Sequence, residues 1–161
     1  MKFDGIIADP PYGIREKSSK VGVKKDKDGN VYPQQPHDNH YPEKAKYSLN
    51  QAFIDIMDLA AVKLVVAGRV AFWFPVARDT YNENVLPRHE ALQLIDNCEQ
   101  MLTQRGSRRL LVYKKQREPI AGEAAYILED PYANGTFRES MFVQGRTTNA
   151  KPEAAGDAPT V

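Results

Sequence analysis

The chain has 161 residues, of which 42% are hydrophobic and 27% charged, and these values predict one globular domain with a substantial core. The lone cysteine, Cys98, excludes a disulfide framework and a thiolate metal cluster, and no apolar stretch is long enough to span a bilayer or to serve as a signal peptide. We therefore expect a cytoplasmic protein without a membrane segment and without a metal site.

The net charge of +1 conceals an uneven distribution of charge along the chain. Residues 14–47 carry eight Lys or Arg against five Asp or Glu, and residues 104–118 carry six against one. Residues 119–161 have the opposite balance, three against six. If the protein binds a nucleic acid, the first two segments are expected to meet it.

The first predicted element is a strand in the segment FDGIIADPPYGIRE, residues 3–16. Its nearly continuous apolar run predicts a strand covered on both faces, as in a parallel sheet. Pro10 and Pro11 end the strand, because neither has an N–H and each restricts the preceding residue to an extended conformation. Ligands of open parallel sheets bind at the carboxyl ends of strands, so Asp9, the Pro10 carbonyl and Tyr12 are expected to face a cleft.

These groups suit transfer to an exocyclic amino nitrogen, which is a poor nucleophile because its lone pair is delocalised. A carboxylate and a main-chain carbonyl that accept both N–H hydrogens favour a pyramidal nitrogen, with its lone pair aimed at an electrophile. An aromatic ring can hold a planar substrate by stacking. This chemistry alone leaves adenine, cytosine, guanine and a glutamine side chain open as acceptors.

Residues 17–46 are rich in polar and charged residues and lack apolar periodicity, which predicts a long basic loop. This loop is expected beside the proline corner, which consists of residues 9–13. His37 and His40 in this loop have no partner cluster for a metal, so we interpret them as solvated.

An amphipathic helix is predicted from Leu49, with Ser48 as its N-cap and Gly68 just past its end.

The next segment, RVAFWFP at residues 69–75, is apolar at both odd and even positions, so both of its faces would be apolar. This predicts a second buried parallel strand, closed by Pro75. Strand, helix and strand then form a crossover unit. Trp73 is expected in the core, with a position bordering the cleft as the alternative.

A short helix is predicted over residues 87–95, and the residues after it fit either a helix or a strand. His89 would act as a general base only if it reached the corner, which a lone loop histidine seldom does. From residue 119 apolar periodicity fades, so 119–161 is predicted as a largely disordered tail with a transient helix at AAYILEDPY.

Four segments together resemble one protein family: ADPPYGIRE, GRVAFWFP, LPRHEALQLIDNCEQML and RGSRRLLVYKK. Their order and spacing are similar to those in the catalytic half of the THUMP-domain tRNA guanine-N2 methyltransferases, which act at position 10 of tRNA, and DPPY resembles motif IV of S-adenosylmethionine-dependent amino-methyltransferases. The resemblance covers about residues 1–118, taken as the domain. It implies an α/β fold: part of a Rossmann-like class I methyltransferase domain from its fourth strand onward, with a mixed sheet. It also favours a strand over 97–103, joined by the turn TQRGSRR to an antiparallel last strand, Arg109–Lys115.

The resemblance implies roles for single residues. In the family the aspartate and prolines hold the target amino group and the tyrosine packs the base, which implies catalytic roles for Asp9, Pro10, Pro11 and Tyr12. Asp9 and Pro10 are also the expected part of the S-adenosylmethionine site. A weaker substrate role extends to Arg15 and Glu16, for which a loop salt bridge is the alternative. From their charge, phosphate contacts with tRNA are expected from the loop lysines, including Lys17 and Lys20, and from Arg105, Arg108, Arg109, Lys114 and Lys115, for which a solvated hairpin edge is the alternative. Arg15 is expected to contact the substrate or RNA.

The Gly-rich turn with which doubly wound methyltransferases bind the donor is missing, since no two of the ten glycines form a G-x-G. Only two residues precede the first strand, so we interpret the chain as the C-terminal part of such an enzyme, inactive alone and with that strand at a sheet edge. The alternatives are a non-catalytic RNA- or protein-binding fragment, and an amino-methyltransferase of DNA adenine or protein glutamine. By resemblance the partners are tRNA and a small zinc-binding activator protein, whose docking strand is expected outside this chain.

Overall fold

The computed structural model describes residues 1–13, 19–21, 44–46, 48–133 and 137–142. The helices and strands, in chain order, are β1 (Phe3–Ala8), β2 (Ser19–Val21), β3 (Lys44–Lys46), α1 (Leu49–Lys63), β4 (Leu64–Ala77), β5 (Leu92–Met101), β6 (Gly106–Lys115) and α2 (Phe137–Phe142). A single 3-10 turn, Glu83–Val85, joins β4 to β5. Strands β2 and β3 form an antiparallel pair within the predicted 17–46 loop. The rest of that loop, with His37 and His40, lies outside the described residues.

The main sheet has four strands in the order β1-β4-β6-β5. Strand β1 is parallel to β4, whereas β6 runs antiparallel to both of its neighbours. The α/β fold class with a mixed sheet and an antiparallel last strand is confirmed. The predicted unit of strand, helix and parallel strand is also confirmed, as β1, α1 and β4.

Helix α1 covers one face of this sheet. Ser48 caps it, because its hydroxyl accepts a hydrogen bond from the backbone N–H of Gln51 at 3.2 Å. Phe53, fully buried on the helix, packs against Phe72 and Phe74 of β4, with ring centroids 5.8 and 4.6 Å apart. These aromatic contacts form the centre of the core and fix the sheet that carries the site.

The helix ends at Lys63, so the prediction that Gly68 follows its end is wrong. Strand β4 begins at the next residue, and the register of β1 against β4 shifts within this stretch. Ala67 has a φ of 70°, and a Cβ at Gly68 would lie 2.9 Å from the carbonyl oxygen of Val65 and 3.0 Å from that of Asp4. Gly68 therefore permits the close approach of two strands rather than ending a helix.

Strand β1 lies at the edge of the sheet, as predicted. The prediction that it is covered on both faces is wrong, because Ile7 is 92% exposed and Phe3 42% exposed. As an edge strand, β1 has a single hydrogen-bonded neighbour, β4. Among the described residues, no element covers the face of β1 on which Ile7 lies.

Pro75 does not close β4, which continues to Ala77, so that prediction is also wrong. The pairing of β1 with β4 ends at Ala8 and Phe72, and beyond that point β4 needs no N–H on the β1 side. The carbonyl oxygen of Pro75 instead accepts a hydrogen bond from the hydroxyl of Tyr132 at 2.9 Å.

The predicted helix over 87–95 is wrong, because this segment has strand-like bridges at Arg88 and His89 and a turn at residues 90–91, and then enters β5. Arg88 pairs with Tyr126, and Leu92 donates its N–H to the carbonyl of His89. Ladder pairing with β6 overrides the helical spacing of the apolar residues. The predicted strand 97–103 begins earlier, at Leu92, and ends at Met101, and the last strand begins at Gly106 instead of Arg109.

Part of the predicted tail packs against the domain. The N–H of Ala125 donates to the carboxylate of Asp58 at 2.6 Å, and Tyr126 forms a bridge with Arg88. The segment predicted as a transient helix thus has strand-like pairing at Tyr126. No helix in the described part of the chain is long and apolar enough to cross a membrane.

Candidate active site

The sheet topology brings three chain segments together where β1 and β4 end, which is the carboxyl edge of the sheet. Because β1 and β4 are parallel, both carboxyl ends lie there, and Asp9 follows Ala8 at the end of β1. Strand β6 is antiparallel, so its amino end reaches the same edge, with Arg108 opposite Pro75. The proline corner therefore lies beside the first residues of the last strand.

Asp9, Tyr12 and Arg108 form a hydrogen-bonded chain at this edge. The hydroxyl of Tyr12 donates to Oδ1 of Asp9 at 2.6 Å. Nη1 of Arg108 in turn donates to the Tyr12 oxygen at 3.1 Å. Since a guanidinium can only donate, the hydroxyl proton of Tyr12 must point toward Asp9.

Arg108 is itself held on two sides. Its Nε donates to Oε1 of Gln100 on the neighbouring strand β5 at 2.6 Å. Its guanidinium carbon lies 4.0 Å from the ring centroid of Trp73. Trp73 is half-buried rather than enclosed in the core, and its ring lies beside Arg108; whether it borders a cleft stays a prediction.

Tyr12 is half-buried, whereas Asp9 is exposed. The Tyr12 ring meets the ring of Phe137 edge to face, with centroids 6.2 Å apart. Burial and the hydrogen bond to Asp9 raise the pKa of Tyr12 to about 12, although Arg108 acts in the opposite direction. The hydroxyl is therefore a protonated donor at neutral pH.

The backbone leaves the strand at the two prolines, as the sequence predicts. Pro10 is half-buried and Pro11 exposed, and neither lies within β1. Gly13 has a φ of 71°, a conformation that favours glycine, and it turns the chain immediately after Tyr12. Asp9, Pro10, Pro11 and Tyr12 thus lie together at the carboxyl end of the strand.

The basic residues predicted to contact phosphate do not form one patch. Arg108 and Arg109 are neighbours on β6 and therefore point to opposite faces of the sheet. Nε of Arg109 donates to Oδ1 of Asn97 at 2.6 Å, and its guanidinium carbon lies 4.2 Å from the ring centroid of Tyr81. Arg105 is exposed in the turn between β5 and β6.

Lys115 cannot contact phosphate in this fold, so its predicted role is wrong. Its side chain is fully buried, and Nζ donates to the carbonyl of Leu64 and to Glu118, each at 2.8 Å. Arg15, Glu16, Lys17 and the side chain of Lys20 lie outside what the structure describes. Their roles stay predictions.

His89 is engaged in its own loop. It is 4% exposed, its Nδ1 accepts a hydrogen bond from the N–H of Ala91 at 3.0 Å, and its Nε2 lies 3.9 Å from the Asp58 carboxylate. These contacts hold the turn into β5 and involve no residue of the corner.

The residues at this edge fit only part of a methyl donor such as S-adenosylmethionine. The corner supplies one carboxylate and one main-chain carbonyl, and the sequence has no G-x-G turn for the rest. In the described ranges there is also no group of three or more His, Cys, Asp or Glu residues that could hold a metal ion.

Sequence reasoning missed Gln100 and Phe137 as neighbours of the site. Gln100 reaches Arg108 only through the register of β5 against β6, which no local pattern encodes. Phe137 lies in the segment predicted as disordered, and an aromatic residue in a polar stretch was the one available signal.

Comparison with known proteins finds curated relatives for nearly the whole chain. The protein named tRNA (guanine(10)-N(2))-methyltransferase TRMT11 of Xenopus laevis is 40% identical over 159 residues, which cover 95% of this chain and 32% of that protein. The Homo sapiens protein of the same name is 36% identical over 146 residues, covering 87% and 32%. The Dictyostelium discoideum protein is 42% identical over 132 residues, covering 80% and 26%.

No protein-family model matches the chain. No solved structure matches it either. The chain spans about a third of the length of the curated relatives it matches.

Proposed function

From its homology to the tRNA (guanine(10)-N(2))-methyltransferases, we propose that the chain forms the amino-acceptor part of a methyltransferase site for guanine in tRNA. One observation carries this proposal most directly: Asp9 and Tyr12 are joined by a hydrogen bond at the carboxyl end of β1. That is the edge at which open α/β sheets bind their ligands.

In the proposed reaction the Asp9 carboxylate and the Pro10 carbonyl accept the two N–H hydrogens of the guanine amino group. The nitrogen then presents its lone pair to the methyl group, and the carboxylate stabilises the positive charge that develops on it. Asp9 is suited to this because it is exposed and because the Tyr12 hydroxyl occupies its Oδ1. Pro11 stiffens the corner, and the ring of Tyr12 packs the base.

The methyl donor of the proposed reaction is S-adenosylmethionine, which supplies an electrophilic methyl group when bound. Asp9 and Pro10 would contact only the methionine side of the donor. We propose that the 161-residue chain alone therefore neither binds this donor appreciably nor turns over. Isothermal calorimetry tests this, and micromolar binding by the purified chain contradicts it.

Lys17, Lys20, Arg105 and Arg109 are proposed to meet tRNA phosphates, and Arg15 is proposed to contact the substrate or RNA. Arg105 is the strongest of the described candidates, because it is exposed at the tip of the β5–β6 hairpin. Arg109 would contribute only the N–H groups that its hydrogen bond to Asn97 leaves over. The proposed location is the cytoplasm, and a small zinc-binding activator protein is a further proposed partner.

The decisive variant is Asp9→Asn in a protein that contains this chain and methylates tRNA. We expect the single-turnover methylation rate to fall about 100-fold or more, with tRNA affinity nearly unchanged, because the carboxylate acts mainly in the transition state. Asp4→Asn removes the same charge from the exposed amino-terminal part of β1 and is the matched control. Equal rates for the Asp9→Asn and Asp4→Asn proteins would refute the assignment.

A further inference from the structure

The contacts of Arg108 point to a role other than phosphate binding. Its Nε and Nη1 are both used within the protein, by Gln100 and by Tyr12. Its guanidinium plane lies over Trp73, and Trp73 and Arg108 come from neighbouring strands of the same sheet. Arginine is suited to this position because its planar fork can donate in two fixed directions while it stacks.

We propose that Arg108 is a positioning residue for the Asp9 carboxylate, acting through the hydroxyl of Tyr12. This inference rests on the proposed function and adds a residue to its site. Nη1 of Arg108 donates to the Tyr12 oxygen, so the only proton of that hydroxyl is directed to Oδ1 of Asp9. This contact restricts the rotation of the carboxylate, and Oδ2 is the oxygen proposed to accept the amino group of the substrate.

The corner needs such an anchor because it is exposed and contains no regular secondary structure. Asp9, Pro11 and Gly13 are all exposed. Among the described residues, the contacts that hold the Tyr12 side chain are those with Asp9, Arg108 and Phe137. Of these contacts, the hydrogen bond from Arg108 joins the corner to strand β6, and Arg108 is in turn bonded to Gln100 of β5.

The first test is spectroscopic and needs no enzymatic activity. The 161-residue chain is labelled with 3-fluorotyrosine, whose lower phenol pKa brings titration into a range where folded protein can be studied. The chain has eight tyrosines, and Tyr12→Phe assigns the signal of Tyr12 in the fluorine NMR spectrum. The parent signal should titrate late, because burial and Asp9 raise the pKa of Tyr12.

In Arg108→Gln the titration midpoint of Tyr12 should fall toward that of free 3-fluorotyrosine, because the ring leaves both its half-buried position and Asp9, which raise the pKa, whereas Arg108 itself lowers it. Arg108→Lys retains a donor and should restore part of the difference. Arg69→Gln removes an exposed charge elsewhere on the sheet and should leave the midpoint unchanged. A midpoint in Arg108→Gln equal to or above that of the parent overturns the proposal, since Tyr12 would then stay on Asp9 without Arg108.

The second test is a double-mutant cycle on methylation of tRNA, in a protein that contains this chain and is active. Arg108→Gln should lower kcat about tenfold, with the salt dependence of tRNA affinity unchanged, and should have no further effect on kcat in the Tyr12→Phe background. A flattened salt dependence with additive effects on kcat would assign Arg108 to phosphate and overturn the positioning role. Loss of Asp9 without effect on methylation would refute the proposed function instead, and the NMR titration would still decide the role of Arg108.

Discussion

Nζ of Lys115 lies 2.8 Å from the carbonyl oxygen of Leu64, so the last strand of the sheet is joined to the end of helix α1 by a fully buried ammonium group. Replacement by Met keeps the apolar stem but leaves this carbonyl without its donor. We expect Lys115→Met to lower the free energy of unfolding by about 1–3 kcal/mol. Lys114→Met, on the opposite face of the same strand, should change it by less than about 0.5 kcal/mol. Urea unfolding monitored by circular dichroism measures both, and equal midpoints for the two variants would contradict the role of Lys115.

The second prediction concerns two adjacent residues of β4. Gly68→Ala should destabilise the fold by about 1–3 kcal/mol, because the new methyl group meets the carbonyl oxygens of Val65 and Asp4. Ala67→Gly should be neutral or stabilising by up to about 1 kcal/mol, because Ala67 has a φ of 70°. Thermal unfolding of both variants is the measurement. Gly68→Ala with the stability of the parent would show that β1 and β4 are not in close contact there.

The third prediction is a pH dependence that arises from Glu123. Hydrogen bonds from Arg117 hold the pKa of Glu123 at about 2, below its ordinary value of 4.5. A lowered folded-state pKa contributes stability that is present above the unfolded value and is lost as the pH falls. Glu123→Gln should therefore unfold at lower urea than the parent at pH 7, and the gap should shrink between about pH 4.5 and pH 2. A gap that stays constant over this range would exclude the ion pair as its source.

The fourth prediction concerns the exposed edge of the sheet. Because β1 is the edge strand of the sheet in the described part of the chain and Ile7 is 92% exposed, the isolated chain should self-associate at high concentration. Ile7→Lys should reduce this association, since a lysine on an edge strand disfavours pairing with another chain. Leu59→Lys makes the same change on α1, where Leu59 is 51% exposed, and should have a smaller effect. Sedimentation velocity over a concentration series compares the three proteins, and equal effects of the two lysines would indicate general apolar association instead.

Some elements were predictable because their signals are local. The spacing of apolar residues and the Ser48 cap predict α1, and the two prolines correctly end β1 before Asp9. By contrast, the segment before β5 has helical spacing but forms a bridge and a turn, because it is paired through Arg88 with Tyr126 of the carboxyl-terminal segment. Such pairing joins residues far apart in sequence and leaves no local pattern.

The same limit applies to the candidate site. The DPPY string identifies Asp9 and Tyr12, because the same four residues end the strand and supply the carboxylate and the phenol. The role of Arg108 depends on which face of β6 it occupies and on the register of that strand. A shift of one residue would turn Arg109 toward Tyr12 instead, so no composition-based argument distinguishes the two arginines.

Tyr12 and Arg108 are separated by 96 positions along the chain, and this separation determines when the site can form during folding. A nascent chain that has emerged only through β4 contains the carboxylate, both prolines and the phenol, yet its corner has no anchor. Closing so long a loop is entropically costly and is accomplished only when β6 pairs with β4. We therefore expect the candidate site to assemble only after this non-local pairing, so that partly folded chains contain the motif without its geometry.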